Sequence, residues 1–288
     1  MTKLIITAAL TGSRITRDAS PFIPITPEEL VQSAVECWNA GAAAVHIHVR
    51  DPGTGLGTQD VEIFRRVVEP LRERTDLILC LTTSGIPGRN LPTEERLEPL
   101  SLRPELASFD AGSINLGGAV FANPPEFLEA AALRMKTLGV KPELEIFDSG
   151  MIVTCLRMRE QGKLEDPLYF QFVLGTPWGA PTTPRSLLYL QEQIPENAVW
   201  SAIGIGKDHL PIAMMAMAMG GHIRVGLEDN LYFSKGVLAR SNAQFVERIV
   251  RIANAYDRDI ASPKEAREIL AVHGSPPEER VHAKAQSR

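Results

Sequence analysis

The feature that most constrains the fold is a recurrence. A short apolar run with strand character is followed by a segment with helical spacing, eight times over. The strand-like runs are 4–10, 43–49, 77–83, 106–115, 143–148, 169–174, 199–205 and 223–228. The helical patterns are 27–40, 58–74, 93–101, 124–138, 150–161, 184–193, 208–219 and 241–257. Pro27-Glu28-Glu29 after Thr26 reads as a helix start, with a side-chain cap and proline at the first helical position. Asn123-Pro124-Pro125-Glu126 carries the same signal. Strands separated by helices call for parallel pairing, and eight such units favour closure into an α/β, (β/α)8 TIM barrel. The alternative is an open doubly wound sheet. Such a sheet usually places a glycine-rich turn after its first strand, and Thr11-Gly12-Ser13-Arg14 is not one. No shift in composition divides the chain before residue 262. Residues 1–272 are therefore expected to form a single TIM-barrel catalytic domain. Within it, 262–272 reads as an extra C-terminal helix packed outside or against a neighbouring subunit, and 273–288 as a flexible tail.

Composition narrows the function classes. Of 288 residues, 44% are hydrophobic and 23% charged, as in ordinary globular chains. No apolar run reaches the roughly 18 residues of a membrane span, and a net charge of −5 lacks the basic footprint of a nucleic-acid binder. Neither a membrane nor a nucleic acid is an expected partner. The cysteines, Cys37, Cys80 and Cys155, are scattered and form no CxxC pair. That argues against a disulfide framework or a thiolate zinc site, and fits a reducing cytoplasm.

The chemistry gathers at strand ends. In Val45-His46-Ile47-His48-Val49-Arg50-Asp51-Pro52, residues two apart share a strand face, so His46 and His48 point together. Two imidazoles so placed suit one metal ion, and two histidines hydrogen-bonded within the barrel are the simpler alternative. In Gly221-His222-Ile223-Arg224-Val225-Gly226-Leu227-Glu228-Asp229-Asn230, alternation sends Arg224 and Glu228 into the barrel. A buried charge needs a partner. A metal ion would satisfy Glu228 and an anionic substrate Arg224; an internal Arg–Glu ion pair would satisfy both. Barrel closure sets the eighth strand two away from the second, so their inward residues share layers and two histidines and a carboxylate can converge. Thr82, Ser108, Asn115, Glu143 and Glu145 add polar groups at other strand ends. Gly175–Pro181 reads as a loop, carrying Trp178, that suits covering a large ligand.

These motifs, with Pro104-Glu105-Leu106-Ala107-Ser108 and Pro142-Glu143-Leu144-Glu145-Ile146-Phe147-Asp148, resemble the β-keto acid cleavage enzymes, the family of 3-keto-5-aminohexanoate cleavage, from residue 4 to about 272. The resemblance implies a zinc-dependent TIM barrel, a homotetramer, that converts a β-keto acid and the co-substrate acetyl-CoA into acetoacetate and a new acyl-CoA. It implies His46, His48 and Glu228 as ligands of one Zn²⁺ per subunit, Asp229 as general base, and Arg224 as a group that orients substrate or water. Thr82 stands where the family places a serine. Ser108 and Glu145 match further substrate-binding positions. The amine-recognising member carries an acidic residue near position 14, where this chain has Arg14. An arginine there suits an anionic or polar tail. Amidohydrolase-type metal hydrolases also use H-x-H, but on the first strand and with further histidines on middle strands, where this chain has none. A non-catalytic metabolite-binding barrel would need no base beside the metal.

Overall fold

The structure is a computed structural model that describes residues 2–84, 89, 91–116 and 118–272. The expected tail, 273–288, lies outside the described residues. Eight parallel strands close into a barrel: β1 Ile6–Ala9, β2 Ala44–Ile47, β3 Ile78–Leu81, β4 Leu106–Asp110, β5 Lys141–Ile146, β6 Tyr169–Leu174, β7 Val199–Gly204 and β8 His222–Val225. Each neighbours the next in sequence, and β1 closes the ring by pairing with both β2 and β8. The (β/α)8 expectation therefore holds, and the open sheet is excluded.

The helices that cover the barrel are α1 Pro27–Asn39, α2 Val61–Arg74, α3 Thr93–Leu97, α4 Pro125–Leu138, α5 Ser149–Glu160, α6 Pro184–Glu192, α7 His209–Ala218 and α8 Asn242–Ala255. Helix α1 begins as its sequence predicts. Thr26 accepts from the Glu29 amide, and the Glu29 carboxylate accepts in return from the Thr26 amide. Its buried Leu30, Val31, Ala34 and Cys37 recur at helical spacing and face the outer surface of the barrel. Burying a leucine or valine of this kind contributes roughly 1.5–3 kcal/mol. Helix α4 starts from Pro124 without a side-chain cap, so Asn123 serves another role there: it binds Arg96 and the Gly112 carbonyl. No helix among the described residues is long and apolar enough to cross a membrane.

Several strand boundaries differ from the sequence expectation, and three of them bear on the site. The second and fourth strands stop early, at Ile47 and Asp110. Beyond them the chain folds into small antiparallel hairpins, Val49–Arg50 with Gly57–Thr58 and Ile114–Leu116 with Ala119–Phe121. Val49 keeps the apolar alternation of Val45 and Ile47, whereas Ala111-Gly112-Ser113 breaks that of β4 and puts Ile114 and Leu116 out of phase with Ala107 and Phe109. Strand β8 ends at Val225, before Gly226. The extra helix, α9 Pro263–Leu270, packs beneath the N-terminal end of the barrel rather than outside it. Its Ala266 and Leu270 join Ile5, Ile78, Leu106 and Tyr169 in one apolar cluster. Ion pairs Lys3–Glu265 and Arg267–Glu105, both 2.7 Å, tie it there. The opposite, C-terminal end is left open.

Candidate active site

At that open end, the register sets His46 level with Ala9 of β1 and Cys80 of β3. Both histidine side chains are buried, at 2% and 11% exposure, with ring centroids 5.1 Å apart. Glu228 reaches them from beyond β8. Its Oε1 lies 3.6 Å from His46 Nε2 and 3.4 Å from His48 Nε2. The structure thus brings His46, His48 and Glu228 together as the sequence leads one to expect.

Asp229 arrives by a different route from strand alternation, which would turn it outward. The chain turns at Gly226, where a Cβ would stand 2.0 Å from the Ala9 carbonyl oxygen. Any side chain there would push β8 off β1. The turn is closed by the amides of Asp229 and Asn230, which donate to the Gly226 carbonyl at 3.2 and 3.1 Å. It delivers adjacent carboxylates, Glu228 and Asp229, to the same cavity.

Arg224 organises this cavity from below. Its Nε and Nη2 each donate to Asp229 at 3.1 Å, Nη2 donates to Glu228 at 2.6 Å, and Nη1 donates to Glu145 at 3.1 Å and Gln171 at 3.0 Å. The internal ion-pair alternative is therefore present, and it coexists with the His–Glu cluster. Burial opposes the charge on Arg224, but the surrounding carboxylates hold its pKa well above the usual arginine value. Burial likewise opposes ionisation of Glu228, yet the Arg224 guanidinium beside it outweighs burial and keeps the carboxyl well below its ordinary pKa. Asp229 is pushed up to about 6, by burial and by Glu228, against the pull of Arg224. Burial, together with Arg224, holds His46 well below its ordinary pKa, so its imidazole is neutral.

A neutral imidazole and an ionised carboxylate are the forms that bind metals. Three donors at about 2.0–2.1 Å around one tetrahedral zinc would lie roughly 3.3 Å apart, close to the observed 3.4 and 3.6 Å. The Oε2 atom of Glu228 is buried without a hydrogen-bond partner among the described residues. The donor set therefore fits a divalent ion. A second grouping, His46, Cys80 and Glu143, also brings three donor atoms together but is fully buried. There the Cys80 thiol donates to Glu143 at 3.3 Å, and burial keeps it protonated, well above its ordinary pKa. The His46–His48–Glu228 grouping has an opening, since His48 and Glu228 line the cavity.

The cavity opens to solvent, and with its open mouth it holds about 780 Å³ of empty space. Ser13, Arg14 and Ile15 line it from the loop after β1, and the Arg14 guanidinium donates to the Leu116 carbonyl at 3.1 Å. Glu145 lines it from β5, where burial and the neighbouring Asp110 push its pKa well up. Thr82 and Ser108 are buried but are not among the lining residues. The Thr82 hydroxyl accepts from the Ser84 amide, and the Ser108 hydroxyl accepts from the Thr83 amide. Both support the chain leaving β3. Asn115 is exposed in its hairpin and is not itself a lining residue, although Leu116 beside it is, and Trp178 is 67% exposed. Asp110, Phe147 and Ser84 also line the cavity, and the sequence motifs that contain them give them no site role. Asp110 was within reach, because it lies two residues beyond Ser108 on the same strand face.

The chain matches the family model described as beta-keto acid cleavage enzyme over residues 3–272. It is 43% identical to a 3-keto-5-aminohexanoate cleavage enzyme of Fusobacterium nucleatum, across 94% of this chain and 99% of that one. It is 36% identical to a 3-oxoadipate:acetyl-CoA acetyltransferase of Cupriavidus necator, across 93% and 94%. Among solved structures, a ternary complex of ObcA with a C4-CoA adduct and oxalate superposes with a TM-score of 0.81. That likeness has 20% identity and covers 88% of this chain and 68% of that one, so it speaks to the fold. The full-length family match and the near-complete coverage of these curated relatives establish that the protein belongs to the β-keto acid cleavage enzyme family.

Proposed function

We propose that the protein is a zinc-dependent acyltransferase that converts a β-keto acid and acetyl-CoA into acetoacetate and a new acyl-CoA, with residues 1–272 as its catalytic unit. The observation that carries this reading is the placement of Asp229 beside a donor set of two histidines and a carboxylate, on one cavity, in a chain of this family. His46, His48 and Glu228 would hold the zinc. When bound, the ion supplies Lewis acidity to the oxygens of the keto acid and so favours loss of a C2 proton.

The protein's own groups account for the rest. Asp229 takes the C2 proton on a carboxylate oxygen and returns it when acetoacetate leaves. Arg224 holds that carboxylate through two hydrogen bonds and fixes its direction. Thr82 stays behind the cavity wall, where its hydroxyl accepts from the Ser84 amide and so helps to set Ser84, which lines the pocket. Glu145 lines the substrate side of the pocket, and Ser108 stands behind that wall, holding the Thr83 amide. A homotetramer acting in the cytoplasm belongs to the same proposal and rests on the family resemblance. The test is a panel of β-keto acids with acetyl-CoA, following acetoacetate and identifying each acyl-CoA by mass. Acetoacetate with a matching acyl-CoA supports the proposal, and its absence across the panel defeats it.

The pKa of Asp229 gives a pH expectation. The carboxyl is raised to about 6, and the base must be ionised. Exchange of the C2 protons with solvent deuterium should therefore fall as the pH drops through the midpoint. A dication bound alongside favours the ionised form and draws that midpoint below 6. An exchange rate that rises as the pH falls would contradict the assignment.

Metal choice between the two groupings is tested by Cys80→Ser. The Cys80 thiol is buried, protonated and committed to Glu143. Metal content measured by elemental analysis should stay at wild-type stoichiometry, and loss of the metal would move the site to His46, Cys80 and Glu143.

Arg14 favours a β-keto acid with an anionic or polar tail. It lines the cavity mouth, and of its five donors one is committed to the Leu116 carbonyl. A guanidinium can grip a carboxylate with paired hydrogen bonds and repels an ammonium tail. Arg14→Glu should shift kcat/KM toward an amino-bearing substrate relative to a dicarboxylic one. An unchanged ratio, or a wild type that prefers the amino substrate, would remove Arg14 from specificity.

A further inference from the structure

The H-x-H motif continues into Arg50, which the reaction above leaves without a role. Arg50 is wholly buried, and its guanidinium has no carboxylate ion pair among the described residues. Its donors go to main-chain carbonyls instead. Nε donates to Gly12 at 2.6 Å, Nη2 to Thr11 at 2.8 Å, and Nη1 to Gly55 at 3.0 Å. A buried cation spent on carbonyls is costly to desolvate, and burial lowers its pKa to about 10. The arrangement joins two loops. Thr11 and Gly12 leave β1, whereas Gly55 is at the tip of the hairpin that follows β2. That hairpin is rigid in its own right, because Asp51 accepts from the Thr54 amide and hydroxyl and its amide donates to Leu56.

A second, independent contact presses the same surfaces together. A Cβ on Gly57 would stand 2.8 Å from Ser13 Cβ and 3.2 Å from Ser13 Cα. The hairpin can lie flat on the β1 loop because residue 57 has no side chain. On its other side the loop abuts Glu228, since a Cβ on Gly12 would stand 2.8 Å from Glu228 Cγ. Gly12 therefore sits between Arg50 and the candidate metal-binding carboxylate, and Ser13, Arg14 and Ile15 run directly from it along the cavity wall.

We infer that the hairpin after β2 is a clamp: Arg50 and the bare face of Gly57 fix the 11–15 loop, and through it set the substrate wall of the pocket. Arg50 is thus a positioning residue that does not touch substrate. The kinetic part of this inference rests on the proposed reaction, whereas the structural part does not.

The test uses trypsin and kinetics on the full chain. Although Arg14 is exposed, a clamped loop cannot extend into a protease, so cleavage after Arg14 should require local opening. In the native wild type, release of the 1–14 fragment should be slow. Arg50→Lys keeps the charge but cannot span three carbonyls on two loops. Gly57→Ala keeps Arg50 and adds one methyl against Ser13. In both variants, cleavage after Arg14 should be at least tenfold faster, and KM for the β-keto acid should rise about tenfold with a smaller change in kcat. Rapid cleavage after Arg14 in the native wild type would overturn the clamp even if neither variant folded. Wild-type cleavage rates in both variants would overturn it as well, as would a loosened loop with unchanged KM. If the wild type shows no β-keto acid cleavage, the proposed reaction fails, and the trypsin pattern still decides the clamp.

Discussion

Replacing Glu228 with alanine is expected to release the metal and to abolish turnover, with the barrel still folded. The expectation follows from the geometry of the donor set. Glu228 is the carboxylate that faces both histidines, at 3.6 and 3.4 Å, so its removal leaves two ligands where three converge. Losing an outer hydrogen-bond partner of a metal ligand typically costs 10–100-fold in affinity or activity, and losing the ligand itself should cost more. The fold should survive because Arg224 retains Asp229, Glu145 and Gln171 as partners. His46→Ala is the companion variant. It removes a neutral ligand and leaves every Arg224 contact intact. Elemental analysis of purified protein, read beside thermal unfolding and turnover, separates metal loss from misfolding. Full activity in excess chelator, or wild-type metal content in both variants, would dismantle the site.

Asp229→Asn is expected to lower turnover by about 10²–10⁴-fold, the usual contribution of a general base. The substitution preserves shape and retains an oxygen that can accept from Arg224, but it removes proton-accepting ability. Metal content should remain, because Asp229 does not belong to the donor set. Exchange of the C2 protons of the keto acid with solvent should fall in parallel with turnover. Wild-type exchange in this variant would assign the proton transfer to another group.

Much of this site was legible because a strand repeats every two residues. That local period placed His46 with His48 and turned Arg224 inward, and closure of the barrel brought the two strands into range. It failed where the chain leaves the barrel. Alternation sends Asp229 to the outer face, and its inward position comes from the turn at Gly226, whose cause is the Ala9 carbonyl on another strand. The base was named from the family resemblance rather than from strand pattern. The fourth strand is expected through 115 because no charged residue follows Asp110 in Ala111–Asn115, although Ile114–Leu116 pairs with Ala119–Phe121. Arg50 shows the same limit. Its sequence neighbours advertise a metal motif, whereas its partners, Thr11 and Gly12, are 39 and 38 residues away. The place of α9 under the barrel was equally hidden, since its ion pairs reach back to Lys3 and Glu105.

The central proposal is that acetyl-CoA gives its acetyl group to the keto acid and takes away the remaining acyl group. Acetyl-CoA labelled with carbon-13 in both acetyl carbons, incubated with the protein and an unlabelled β-keto acid, tests this directly. The expected result is label in the methyl and keto carbons of acetoacetate, with an unlabelled acyl group on the new acyl-CoA. Label recovered in free acetate, or acetoacetate formed without label, would contradict it.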